Sequence, residues 1–271
     1  MLDEQVLFLG NGLYFRYPEE ILKLLRVMNS AEYLTDGRVY ECWLVDERGP
    51  QSFASDCLEK QTSLLIWGDS HAATLFPGLR QHYAPASVGQ FTRASCLPFS
   101  APTASEKCKT RNAYALAAIL SAKPDTLLIY SVWSRYFPNW SADSAQGIAL
   151  ATELKQLATS GIRHVVFLGS PPDWQPGLPE ALWAEFSKTG RTPDRLFDHL
   201  QLHEASEQQL KKLVEKAGVK YVSLIDLLCN ESGCLTKVPG DRGDLIAFDY
   251  GHFTAVGAKF VIDQLVAKGE F

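Results

Sequence analysis

Two rhythms of apolar and polar positions run along this chain. Short, nearly unbroken apolar runs occur at Leu64–Trp67, Thr126–Val132, His164–Leu168 and Lys220–Ile225, with a weaker one at Ser87–Thr92. Such runs, bounded by turn residues, mark strands buried on both faces. Between them lie stretches with helical periodicity at Ala72–His82, Asn112–Ala122, Ser144–Thr159, Leu200–Ala217 and Thr254–Ala267. Gly161 and Gly218 stop two of these helices, and Pro77 predicts a kink or an early end in the first. Strands alternating with helices predict a parallel sheet covered on both faces and joined by right-handed crossovers. The expected fold is α/β, a three-layer α/β/α sandwich with a five-stranded parallel flavodoxin-like sheet. Pro171–Asp198, rich in tryptophan and proline, reads as a long irregular insertion.

The first part of the chain follows neither rhythm for long. Pro18–Met28 has a helical face of Ile21, Leu24, Leu25 and Met28, and Tyr33–Val45 predicts a short hairpin turning at Asp36–Gly37. We expect residues 1–62 to form an extension that packs on a main domain of residues 63–271.

Composition narrows the setting. Apolar residues make up 46% and charged residues 21%, as in a soluble globular domain, and the net charge is −5. Without a Lys/Arg-rich run, nucleic acid is excluded as an expected partner. No apolar stretch approaches the ~20 residues of a membrane span. The six cysteines fall into close pairs, Cys42 with Cys57, Cys96 with Cys108, and Cys229 with Cys234. Zinc lacks support, because there is no Cys-x-x-Cys pair and no histidine lies near these pairs in sequence. The remaining readings are six buried thiols or, by nearest-neighbour bridging, three disulfides and an oxidising compartment. We expect the disulfides. Met1-Leu2-Asp3-Glu4 lacks the design of a signal peptide, so the chain is expected to be a fragment of a larger exported or membrane-anchored protein.

The chemistry gathers at two places. Leu64–Trp67 ends in Gly68-Asp69-Ser70-His71, and a helix follows at once. Asp69 and Ser70 are good helix caps. A serine where free helix N–H groups converge is also a nucleophile beside anion-binding amides. That second use needs a base. His71 is expected to point elsewhere on the turn, and His82, His164, His199 and His203 lie in or beside predicted elements as surface or packed residues. His252 lies in a loop leading into the last helix, with Asp249 three residues before it, in reach of Nδ1 on a tight turn.

Together, Gly-Asp-Ser-His after the first strand and Asp-x-x-His before the last helix resemble the SGNH (GDSL-like) hydrolase superfamily. The segments Ala94-Ser95-Cys96-Leu97-Pro98, Val132-Trp133-Ser134-Arg135-Tyr136, Leu227-Leu228-Cys229 with Cys234, and Asp249-x-x-His252-Phe253-Thr254 narrow it. They look like the periplasmic SGNH domain attached to membrane acyltransferase-3 proteins, which O-acetylate bacterial surface glycans such as O-antigen. The resemblance implies the SGNH hydrolase fold, Ser70 as nucleophile, His252 as base and acid, and Asp249 as orienting carboxylate, with no cofactor and no metal. It implies a glycan acceptor, an acetyl donor, and periplasmic placement by an upstream membrane domain tethered to the inner membrane. The superfamily usually offers a glycine and an asparagine as oxyanion donors. Here Ser95 and Ser134 stand near those places beside the Ser70 amide, and no asparagine replaces the second; Asn139 is nearby but unassigned by spacing. Trp133, Tyr136, Trp140 and Trp174 are candidates for stacking on a sugar, with Trp133 and Tyr136 foremost. Two alternatives stand beside the O-acyltransferase: a carbohydrate or lipid esterase, and a glycan-binding domain with a vestigial triad.

Overall fold

The computed structural model describes residues 21–22, 24, 36–45, 49–138, 140–240 and 243–271. Its centre is one parallel sheet, built from β1 (Trp43–Leu44), β2 (Leu64–Gly68), β3 (Val88–Arg93), β4 (Thr126–Tyr130), β5 (His164–Leu168) and β9 (Lys220–Val222). The order across the sheet is β1-β3-β2-β4-β5-β9. The sheet therefore has six strands, not the five expected. The extra strand is β1, whose Trp43 pairs with Thr92 and Leu44 with Arg93, both in parallel. The predicted hairpin is thus absent from residues 36–45. Instead the Arg38 carbonyl accepts N–H bonds from Glu41, Cys42 and Trp43, and this compact turn delivers β1 to the edge of the main sheet.

Side chains alternate across each strand, so the sheet feeds two cores. Leu64, Ile66, Leu128, Tyr130, Val166 and Leu168 face one side, where α1 (Ser70–His82) and α8 (Ala255–Ala267) lie. Leu65, Trp67, Leu127, Ile129, Val165 and Phe167 face the other, against α2 (Glu106–Ala122), α4 (Ala145–Ala158) and α6 (Glu204–Lys216). Of the predicted Pro18–Met28 helix, Ile21, Leu22 and Leu24 are helical, with Ile21 and Leu24 buried in the first core, and the rest lies outside the described residues.

Helix α1 runs through Pro77 rather than stopping there. Proline removes one helical N–H, but Leu75, Phe76 and Leu79 on either side are fully buried, and that packing outweighs the lost bond. Beyond Pro77 the helix presses on α8: a Cβ at Gly78 would stand 2.4 Å from the Ala258 carbonyl oxygen. His82 Nδ1 lies 3.0 Å from Asp263 at the far end of the same contact.

The expected irregular insertion holds two short strands, β6 (Asp173–Trp174) and β7 (Arg195–Leu196), and a helix, α5 (Leu178–Thr189). Pro179 in its first turn and Gly190 at its C-terminal cap, φ 73°, are ordinary helix boundaries. β8 (Leu200–Gln201) pairs with β6, so α6 begins four residues later than predicted. A short helix α7 (Leu224–Leu228) replaces the end of the predicted fifth strand and leads into the hairpin of β10 (Cys229–Asn230) and β11 (Gly233–Leu235). Cys42–Cys57, Cys96–Cys108 and Cys229–Cys234 are all disulfides. No helix among the described residues is long and apolar enough to cross a membrane.

Candidate active site

Strand order reverses at β2, which has β3 on one side and β4 on the other, and such switch points open a crevice at the C-terminal strand ends. Gly68 ends β2 there because nothing larger fits: a Cβ would lie 1.8 Å from the Tyr130 carbonyl oxygen. Asp69 is the helix cap, fully buried, with Oδ1 accepting the His71 N–H at 2.9 Å and Oδ2 accepting the Val132 N–H at 3.3 Å. Burial alone would raise its pKa, but the interactions with His71, its backbone N–H among them, outweigh it and hold the carboxyl below its ordinary range. The capping reading therefore holds for Asp69 and not for Ser70, whose hydroxyl lies 2.8 Å from His252 Nε2.

His252 is held from behind. Its Nδ1 lies 2.7 Å from Asp249 Oδ2, while Asp249 Oδ1 accepts the N–H groups of Gly251 and His252 at 3.0 and 2.9 Å. Burial opposes ionisation of Asp249, but His252 and these backbone donors prevail and its pKa is lowered. A kept carboxylate favours the proton on Nδ1, which leaves the Nε2 lone pair toward Ser70. A serine hydroxyl, an imidazole and a carboxylate in that line can move a proton off the serine and return it to a leaving group.

The expected oxyanion and substrate residues are placed unevenly. The Ser134 N–H donates to Ser170 Oγ at 3.2 Å, and the Ser134 hydroxyl is buried without a hydrogen-bond partner. Ser95 is exposed, in left-handed backbone at φ 55°. Asn139 lies outside the described residues. Trp133 is a correction. It is 0% exposed, stacks on Phe167 with centroids 4.2 Å apart, and donates Nε1–H to the Leu168 carbonyl. Its ring is core, and no sugar can reach it. Trp140 and Trp174 are buried in the same way. Tyr136 is half-buried with its hydroxyl directed at Asp69; burial first, then the Asp69 charge, raises its pKa strongly.

Two features lay outside the sequence reading. Arg135 forks onto Asp173, Nη2–Oδ1 2.6 Å and Nε–Oδ2 3.0 Å, and its guanidinium lies 3.7 Å over the Tyr250 ring, inside the Asp249–His252 turn. A charged residue five places beyond the end of β4 carried no signal of this. His71, expected to point away, instead packs its ring on His252 with centroids 3.8 Å apart. Among the described residues, one cluster has metal-ligand chemistry, Cys42, Asp56 and Cys57, and its two sulfurs are joined to each other.

The parallel sheet, its helical layers and the serine at the switch point define the SGNH hydrolase fold. The chain belongs to the family described as the SGNH domain fused to AT3 domains, whose model matches residues 34–267. Among solved structures, it is similar to the periplasmic domain of a lipopolysaccharide acetyltransferase from Salmonella ser. Paratyphi A, at 24% identity and TM-score 0.71, covering 90% of this chain and 97% of that one. A carbohydrate acetylesterase family member from Sinorhizobium meliloti matches at 12% identity and TM-score 0.44, over 77% of this chain and 97% of that one. An aryl esterase of M. smegmatis matches at 14% identity and TM-score 0.42, over 78% of this chain and all of the other. No curated protein matches the chain in sequence.

Proposed function

We propose that this domain transfers an acyl group, most simply acetyl, through Ser70 to a hydroxyl of a bacterial surface glycan such as O-antigen. The observation that carries the proposal is the unbroken line Ser70 Oγ–His252 Nε2–His252 Nδ1–Asp249 Oδ2, with contacts of 2.8 and 2.7 Å. In the first half-reaction Ser70 Oγ bonds to the acetyl carbonyl carbon and its proton passes to His252 Nε2. The bond to the donor then breaks, and the departing oxygen takes that proton. Acetyl-Ser70 remains. In the second half a glycan hydroxyl gives its proton to His252 and bonds to the acetyl carbon, and Ser70 leaves with the proton. Water in place of the glycan gives hydrolysis. Asp249 keeps the imidazole in the required tautomer and faces the imidazolium formed between proton transfers. We assign the oxyanion to the Ser70 amide, with Ser95 and Ser134 as the candidates for a further donor.

The setting follows the family. Its members' fusion to AT3 domains supports attachment to an upstream membrane acyltransferase. Three disulfides and the periplasmic Salmonella domain support a periplasmic site tethered to the inner membrane. Burial of Trp133, Trp140 and Trp174 leaves Tyr136 as the remaining candidate of the four for stacking on a sugar.

The test supplies 4-nitrophenyl acetate with and without a surface-glycan oligosaccharide and reads both nitrophenol release and acetylated glycan by mass spectrometry. Transfer predicts acetylated glycan and faster release when the acceptor is present. Release indifferent to the acceptor identifies an esterase. A folded Ser70→Ala protein that keeps either activity overturns the mechanism.

A further inference from the structure

His71 is a buried imidazole that the transfer steps leave unused. Its side chain is 1% exposed, and its ring lies on that of His252 with planes 21° from parallel. Tyr130 and Tyr250 close around it at centroid distances of 6.4 and 5.4 Å. A Cβ at Gly251 would stand 3.4 Å from its Nε2, so the glycine backbone covers that edge. Neither ring nitrogen has a hydrogen-bond partner. The nearest charge to Nδ1 is Asp69 Oδ1 at 3.5 Å, longer than a well-made N–H···O bond. Buried polar nitrogens left unbonded are uncommon enough to need a reason.

The reason lies in what holds His252. Its hydrogen bonds to Asp249 and Ser70 hold two points of the ring, and two points leave the plane free to turn about the line between them. Phe248 lies parallel but far, at 5.6 Å, and Tyr250 meets the ring edge-on at 5.1 Å. The close flat neighbour is His71.

We infer that His71 is a positioning residue for acyl transfer: its ring face sets the plane of the His252 imidazole and keeps Nε2 aimed at Ser70 Oγ. The inference rests on the reading of Ser70 as nucleophile and His252 as base. It also explains why the neighbour has to remain neutral. His252 becomes a cation between the two proton transfers, and a second cation stacked on it would oppose that state. Burial first, then the charge of His252, lowers the proton affinity of His71, against the pull of Asp69 and Asp249. Those carboxylates, with Tyr130 of β4, Tyr250 and the Arg135 guanidinium above Tyr250, are the titratable and charged groups facing the pair.

The test compares the full chain with His71→Ala and His71→Phe, using turnover of 4-nitrophenyl acetate and NMR of the His252 ring protons. Misplacing a reacting group by an ångström lowers rates on the order of a hundred-fold, so His71→Ala is expected to lose about that in kcat with KM unchanged. His71→Phe restores a flat face and is expected to recover most of the loss. The upfield ring-current shift of the His252 Cε1 proton should be present in the wild type and His71→Phe and absent in His71→Ala. If His71→Ala fails to fold, His71→Phe and a ring-to-ring nuclear Overhauser effect in the wild type carry the test. A folded His71→Ala enzyme with wild-type kcat, a folded His71→Phe enzyme as slow as His252→Ala, or a wild type without the shift overturns the inference. The NMR readout needs no turnover, so it stands apart from failure of the mechanism itself, which would show as retained turnover in Ser70→Ala.

Discussion

Asp249→Asn puts the tautomer of His252 to a direct test. The carboxylate now serves two sides, with Oδ1 accepting the Gly251 and His252 N–H groups and Oδ2 facing His252 Nδ1 at 2.7 Å. An asparagine has one accepting end and one donating end. The two backbone donors claim the amide oxygen, so the NH2 group turns to Nδ1. The imidazole then carries its proton on Nε2, where it cannot accept one from Ser70. Reversing the amide restores the tautomer but gives up two hydrogen bonds worth about 1 kcal/mol each. About 2 kcal/mol corresponds to roughly thirty-fold, which is the least loss expected. Removal of the negative charge beside the imidazolium adds to it. In the serine-protease case described for this change the loss is about ten-thousand-fold, and we expect kcat/KM toward 4-nitrophenyl acetate to fall closer to that figure. The melting temperature should move little, because the backbone bonds to the turn are kept. A folded Asp249→Asn protein with wild-type kcat/KM would refute the reasoning.

Four further outcomes are expected. Gly68→Ala, whose Cβ would collide with the Tyr130 carbonyl, should lower unfolding free energy by about 3 kcal/mol or more in urea titrations, at or above the top of the overpacking range. The Cys42–Cys57 pair closes a separation of 15 residues, so replacing both with serine should remove about 3 kcal/mol, read from the same titrations. The double variant Ser70→Ala/His252→Ala should be hardly slower than Ser70→Ala, since members of one proton-transfer unit are not additive. Stability should fall in two stages on acidification, followed by denaturant midpoints over a pH series. An unfolded histidine takes a proton below about pH 6.5 that buried His71 refuses, so stability declines from there, and His71→Phe should abolish that stage. The share held by Asp69 and Asp249, whose folded pKa values are lowered, is complete above about pH 4 and is lost as pH falls toward those values.

The parts legible in the sequence were those where local pattern and tertiary role coincide. β2, β4 and β5 are continuous apolar runs buried on both faces, and each falls within a residue or two of its expected bounds. The juxtaposition of Ser70, Asp249 and His252 was legible because Ser70 opens one helix and the other two share a short loop ahead of another, where close spacing limits geometry. β1 was not, since two residues show no period and their partners, Thr92 and Arg93, are far along the chain. Asp36–Gly37 signals a turn but cannot say which strand follows it. Helix α5 was hidden by the prolines and glycines around it, although Pro179 and Gly190 are its own boundary residues. The tryptophans misled because an aromatic ring reads alike whether it meets a sugar or Phe167. His71 misled because adjacent helix residues usually diverge, and nothing local shows that the Asp249–His252 turn folds back over it.

The contact between α1 and α8 has a mechanical consequence. Ser70 opens the first of these helices, and His252 lies just before the second, 182 positions later. The two groups behave like the tips of a pair of pliers whose pivot is where Gly78 meets the Ala258 carbonyl. A methyl group added at that pivot, about two turns from the serine, would wedge the arms and change the gap at the tips without touching either one. Hydrostatic pressure, which squeezes such contacts, should act on the gap as well. The reach of the base to the nucleophile is thus a machining tolerance of helix packing, open to adjustment from a site no substrate visits.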